Sequence, residues 1–271
     1  MKIHPRVSLS MVSHWNWPLE RDLAFCERQG IRAIGVSLAK LEAEGGWRRH
    51  VAGIRERGLR VTNLIGVDSF QLADRTTWPA RRDVFRDALD AAATLGAEQL
   101  IFTSGPAGDL CWEEAADALA DAVAPIAAGA AQRRLVLALE HTHSLRVDIG
   151  FVHALRDAID LAGRLGIGVC MEINACWAER GLAQTIAAGN EVISIVQLSD
   201  FAIGTRCTPD RLVPGDGDIP LARIVKQLLA AGYGGVFDIE MVGPRIDAEG
   251  YESASRRALE HVSALLEECG I

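Results

Sequence analysis

Short apolar runs alternate with longer amphipathic stretches along the whole chain. The runs occupy residues 6–10, 33–38, 60–66, 99–104, 135–140, 167–173, 192–199 and 236–241. They carry Val, Ile and Leu on consecutive positions, the pattern of strands covered on both faces. Helical patterning lies between them, over residues 19–29, 41–57, 79–95, 112–131, 148–165, 182–188, 221–231 and 251–268. Gly30, Gly58, Gly96, Gly166, Gly189 and Gly232 follow the ends of these stretches, as glycine commonly does after a helix. Pro125 is expected to kink or split the fourth helix.

Eight strand-then-helix units in 271 residues predict an α/β chain folded as a (β/α)8 TIM barrel. A doubly wound sheet would show a Gly-rich phosphate loop after its first strand, and S-L-S-M-V-S-H-W has none. No linker or change of composition divides the chain, so residues 1–271 read as one domain.

Composition narrows the function. Apolar residues make up 49% and charged residues 24%, enough to bury a large core. The 28 basic and 36 acidic residues sum to −8, which argues against nucleic acid as a partner. No stretch is apolar enough for a membrane span or a secretory leader. Six cysteines include no C-x-x-C pair, so no zinc ribbon is indicated. A cytoplasmic protein acting on a small molecule is expected.

Barrel chemistry gathers where strands end. The first half offers a mixed set there: His14, Trp15 and Trp17, then Ser37 and Lys40, then Asn63 and Asp68, then Thr103 and Ser104. The second half is more uniform. Glu140, Glu172, Gln197 and Glu240 end four consecutive runs, with Asp238 on the same strand face as Glu240. Buried carboxylates that converge repel one another unless something positive lies among them. A hard divalent cation meets that need. The alternative is that each acid pairs with an arginine or caps the next helix.

The blocks L-A-L-E at 137–140, G-V-C-M-E-I-N-A-C-W at 168–177, V-Q-L-S-D at 196–200, V-P-G-D-G-D-I-P-L at 213–221 and A-G-Y-G-G-V-F-D-I-E at 231–240 resemble those of the xylose isomerase-like TIM barrels, the sugar phosphate isomerase/epimerase superfamily. The likeness is close from Leu135 onward and architectural before it. It implies a divalent metal held by Glu140, Glu172, Gln197 and Glu240. Glu172 stands where the family usually has Asp, Gln197 where it usually has His, and Ala175 where a substrate-contacting His is common. An all-oxygen set favours Mn²⁺ or Mg²⁺; the other option is a site whose metal was lost with the histidine.

The resemblance also implies Glu140 and Glu240 as the catalytic pair. They would move a proton alpha to a carbonyl in an isomerisation or epimerisation of a sugar- or polyol-like substrate. A dehydratase that expels a β-hydroxyl after the same first step is the alternative, and a barrel that binds without turnover is a third. Association into a homo-oligomer is an open option that the resemblance implies. His14, Trp15, His143, Arg146, Trp177 and Arg206 are the candidate substrate contacts. Asp218 is expected to cap the helix that starts near Pro220, and Asp216 to reach Arg211 or the pocket.

Overall fold

The apolar runs become strands because both of their faces are covered. In the computed structural model, which describes residues 2–271, they are β1 (Val7–Ser10), β2 (Ala33–Ser37), β3 (Arg60–Ile65), β4 (Gln99–Thr103), β5 (Val136–Glu140), β6 (Gly168–Glu172), β7 (Ile193–Leu198) and β8 (Val236–Ile239). They close in chain order into one parallel barrel, with β8 pairing β1. Strand side chains alternate between faces. Leu9, Val36, Leu100, Leu139, Val196 and Phe237 therefore pack outward beneath the helices. Ile101, Ala138, Cys170 and Ile195 point inward and form a separate small cluster. Two residues further along stand Glu140, Glu172 and Gln197, with Glu240 just past β8, so all four reach the mouth at the strands' C-terminal ends.

Helices α1 (Leu19–Gln29), α4 (Trp78–Leu95), α8 (Leu182–Gly189), α9 (Leu221–Ala230) and α11 (Tyr251–Glu268) match the expected stretches closely. Four expectations change. The stretch at 41–57 is broken into α2 (Leu38–Ala43), one 3-10 turn and α3 (Val51–Glu56). Gly45 and Gly46 adopt φ of 96° and 99° between them, outside the helical region. Pro125, by contrast, does not split α5 (Trp112–Gln132). Proline leaves the carbonyl four residues back without its donor, and Arg82 supplies one, its Nη2 donating to the Asp121 carbonyl at 2.9 Å. Helix α6 (Leu155–Leu165) starts later than expected. Residues before it fold back on the barrel mouth, where Gly105 donates to the Ile149 carbonyl and Thr142 to that of Val152, each at 3.0 Å. Asp218 does not cap α9; its Oδ2 accepts from the Ile203 N–H at 2.7 Å. Two short helices complete the set: α7 (Ile173–Cys176) and α10 (Pro244–Glu249) follow β6 and β8, beside the site. No helix among the described residues is long and apolar enough to cross a membrane.

A buried polar network fixes the first loop. Asp22 accepts from Lys40 Nζ through Oδ2 and contacts His14 Nδ1 at 2.8 Å through Oδ1. His14 Nε2 meets Ser255 Oγ on α11 at 2.7 Å. Lys40 also donates to the carbonyls of His14 and Met11 at 2.9 and 3.2 Å. His14 packs against Trp17, Phe25 and Tyr251. Burial pushes its pKa down, and Asp22 pulls it partly back. The network locks β1, α1, α2 and α11 together with no charge left unpaired.

Inside the barrel, Asp238 lies one layer below Glu240. Asn63 Nδ2 donates to its Oδ2 at 3.1 Å. Burial pushes the Asp238 carboxyl up to about 7.

Two predictions follow from these buried acids. Asp22→Ala leaves Lys40 as an uncompensated buried charge and should cost about 3–5 kcal/mol in urea unfolding. Adding Lys40→Met should recover most of that loss, and equal losses in the single and double variants would show that the pairing does not matter. For Asp238 the folded pKa lies above the unfolded one. Its neutral form therefore favours folding at low pH, and that contribution is lost as pH rises from about 4 toward 7. Asp238→Asn removes this dependence. Relative to wild type, the variant should gain about 2 kcal/mol between roughly pH 5 and pH 8. Parallel stability curves across that range would refute the raised pKa.

Candidate active site

The four strand-end residues do converge, and a fifth residue joins them. Arg211 comes from the long loop after β7. Its Nη1 lies 2.9 Å from Glu172 Oε2 and 3.0 Å from Glu240 Oε1. The same nitrogen donates to the Glu240 carbonyl at 2.9 Å. The contact with Glu172 is one of charge, without an aligned hydrogen bond to that oxygen. The other Glu172 oxygen accepts from the Asn174 N–H at 2.9 Å.

Local chain geometry delivers Arg211. Asp200, at the end of β7, exchanges both backbone hydrogen bonds with Leu212 at 2.9 and 3.0 Å. The Asp200 carboxylate gathers the loop by accepting from the N–H groups of Phe201, Gly215 and Ile219. Arg211 N–H donates to the Val242 carbonyl at 3.0 Å. Gly243 makes room: with φ at 143°, a Cβ there would lie 2.7 Å from the Asp210 Cα. The V-P-G-D-G-D-I block is thus a loop anchor. Asp216 pairs with Arg257, not with Arg211 or the pocket.

Gln197 is oriented away from metal ligation. Its Nε2 donates to Glu240 Oε2 at 2.7 Å, and its Oε1 accepts from the Cys170 thiol beneath it at 3.2 Å. Among the described residues, no three His, Cys, Asp or Glu side chains are grouped so as to hold a metal ion. A ligating amide uses its oxygen, and here that oxygen faces down the barrel. The guanidinium nitrogen stands between the acids that a metal would bridge. As placed, the set does not fit a divalent ion.

Electrostatics divide the acids. Burial pushes Glu140 well above the usual carboxylate range, the charges of Glu240 and Glu172 push it further, and Arg211 and Arg146 oppose them. Burial lifts Glu172 to about 7, with Arg211 holding it down against Glu240. Both Glu240 oxygens are engaged, one by Arg211 and one by Gln197. Glu140 has no ion pair among the described residues, and it lines a cavity of about 550 Å³ together with Arg211, Arg146 and Glu240. A small annex of about 50 Å³ adjoins it, lined by Glu140, His143, Glu172 and Arg211.

The candidate substrate contacts separate. Trp15 lies 54% exposed at the cavity wall. Arg146 lines the cavity, held by Asp148 through two contacts of 2.9 Å. His143 borders the annex and stacks on Phe201. Trp177 packs on Phe201 and lines neither space. His14 is consumed by the Asp22 network and is 1% exposed, so the expected substrate contact is corrected. Arg206 is exposed on the loop and borders neither space, a second correction. His141, two residues before His143, is buried; its Nε2 accepts from the Glu172 N–H at 3.3 Å, and burial holds its pKa down to about 3. Arg211 went unread because its loop is polar and unpatterned. Its neighbourhood to β6 and β8 exists only after barrel closure.

The fold has many relatives. Protein SMc04130 from Sinorhizobium meliloti 1021 superposes with a TM-score of 0.84 at 24% identity, covering 94% of this chain and 96% of its own. The IolI protein, whose structure holds a zinc atom, superposes with a TM-score of 0.84 at 17% identity, covering 97% and 98%. The 3-keto-D-glucoside 4-epimerase YcjR from E. coli gives a TM-score of 0.73 at 17% identity, covering 94% and 99%. A sequence comparison with curated proteins found no match. The xylose isomerase-like TIM barrel family matches residues 23–265. With a closed eight-stranded barrel and acids at consecutive strand ends, the chain belongs to the xylose isomerase-like TIM barrel family.

Proposed function

We propose that this chain is an isomerase that removes a proton alpha to a carbonyl of a sugar- or polyol-like substrate. Glu140 carries the reading. Its carboxyl faces the cavity, has no ion pair among the described residues, and is pushed well above the usual carboxylate range, which strengthens it as a proton acceptor. As Glu140 removes the proton, the C–H electron pair moves into the C–C bond and the carbonyl pair moves onto oxygen. The resulting enediolate regains the proton on the adjacent carbon, and the hydroxyl proton crosses between the two oxygens.

Glu240 was expected as the second base. Its engaged oxygens make it a holder of Arg211 and leave the proton to Glu140. One base on one face supports 1,2-isomerisation over epimerisation. Part of the cavity wall is apolar, with Val12, Ile65, Val67, Ile101 and Ile149. That wall supports a substrate with one oxygenated edge and one apolar face. The acidic net charge favours a free small molecule over nucleic acid.

A second reading keeps Mn²⁺ or Mg²⁺ at the strand ends, and the zinc atom in the IolI structure supports it. It requires Arg211 to leave Glu172 and Glu240, and Gln197 to turn its amide over.

Solvent exchange tests the reading. In D₂O, wild-type protein should incorporate deuterium alpha to the carbonyl of at least one member of a panel of hydroxy-ketones and hydroxy-aldehydes, read by proton NMR. Glu140→Gln should lower that rate by roughly 10²–10⁴ with the fold retained. Exchange at the wild-type rate in the variant would remove Glu140 from the mechanism. Loss of water from the substrate in place of exchange would favour the dehydratase.

A further inference from the structure

The strand ends of this barrel bring together acids that need a positive partner, and the sequence supplies one from within. We propose that Arg211 is the resident cation of the site: it holds the place between Glu172 and Glu240 where a divalent ion would bridge them, and its free guanidinium edge binds and polarises the substrate carbonyl oxygen. The polarising half of this statement rests on the proton-abstraction reading above. The metal-replacing half does not.

Three observations converge. The first is position. One nitrogen, Nη1, meets both Glu172 and Glu240 within 3.0 Å and also the Glu240 carbonyl. A metal ion would need those oxygens at about 2.0–2.2 Å, which places two positive centres in one spot. The second is the neighbour. Gln197 stands on the strand between those of the two acids, gives its N–H to Glu240 and turns its oxygen to Cys170. The first contact completes a carboxylate already bound to a guanidinium, and the second turns the amide oxygen away from the acids. The third is what Arg211 leaves unused. Its side-chain hydrogen bonds to the described residues all run through Nη1, while the side chain lines both the cavity and its annex. Arginine carries five N–H donors in a rigid plane. The donors on Nε and Nη2 remain for an oxygen of a ligand beside Glu140.

The loop is built to keep Arg211 there. Its backbone is tied to Val242, its neighbour Leu212 to Asp200, and Gly243 gives it space. A fixed guanidinium positioned before substrate arrives stabilises developing negative charge on oxygen without reorganisation during the reaction.

The test is a thermal-shift titration of chelator-stripped full-length protein with Mn²⁺ and Zn²⁺. A site filled at about a hundred times its dissociation constant would raise the Tm by roughly 5 °C or more. Wild type should show no such shift and no loss of stability with chelator. The double variant Arg211→Ala/Gln197→His empties the cationic position and restores an imidazole; it should acquire the shift. A wild-type shift of that size, abolished by Glu172→Ala, would overturn the proposal, and that arm does not depend on any Arg211 variant folding. The two readings fail separately. Full exchange activity in Arg211→Met, with Glu140→Gln inactive, would remove the polarising role and leave proton abstraction standing. A metal-indifferent wild type that exchanges no substrate would sink the proposed reaction and leave the metal replacement standing.

Discussion

Three glutamate carboxyls share the mouth of a low-dielectric barrel, and their mutual repulsion governs how the rest of the site is arranged. Water screens them weakly, because each is less than a tenth exposed. One guanidinium lies among the three acids, and it touches two of them. A single positive charge cannot balance three negative ones. The remainder appears as protonation: Glu140 is driven well up and Glu172 to about 7. The acid without an ion pair, Glu140, opens onto the cavity, and Glu240 beside it has both oxygens engaged. The compensation that makes the cluster foldable thus also leaves a carboxyl of raised proton affinity facing the cavity.

The same economy of charge appears away from the cavity. Asp22 balances Lys40 and orients His14 in a closed network, so that a set of residues with catalytic-looking identities serves only to join β1, α1, α2 and α11. Asp200 spends its carboxylate on three backbone N–H groups and so shapes the loop that carries Arg211. Arg82 takes up the carbonyl that Pro125 frees. In each case a polar side chain satisfies a group that would otherwise lack a partner within the protein.

Much of the fold could be read in advance. Strand period and consecutive branched residues placed all eight strands to within one or two residues at either end. Position at the strand ends then singled out Glu140, Glu172, Gln197 and Glu240, because barrel chemistry gathers there. What was missed shares a cause. The stretch at 41–57 kept a helical pattern across Gly45 and Gly46, and backbone conformation there depends on how the turn packs. His14 looked available at a strand end, yet its partners Asp22 and Ser255 lie 8 and 241 residues away in sequence.

The sequence by itself determined the barrel, the order of its strands and the ring of strand-end acids, since these follow from local period and from the two-sided covering of parallel strands. Tertiary structure alone decided what neutralises that ring. Arg211 sits in a loop without periodicity, 39 residues after Glu172 and 29 before Glu240. Its partners are fixed by barrel closure, by the Asp200–Leu212 pairing and by the space at Gly243. Attraction between charges depends on distance and dielectric, and neither exists along a chain until it has folded.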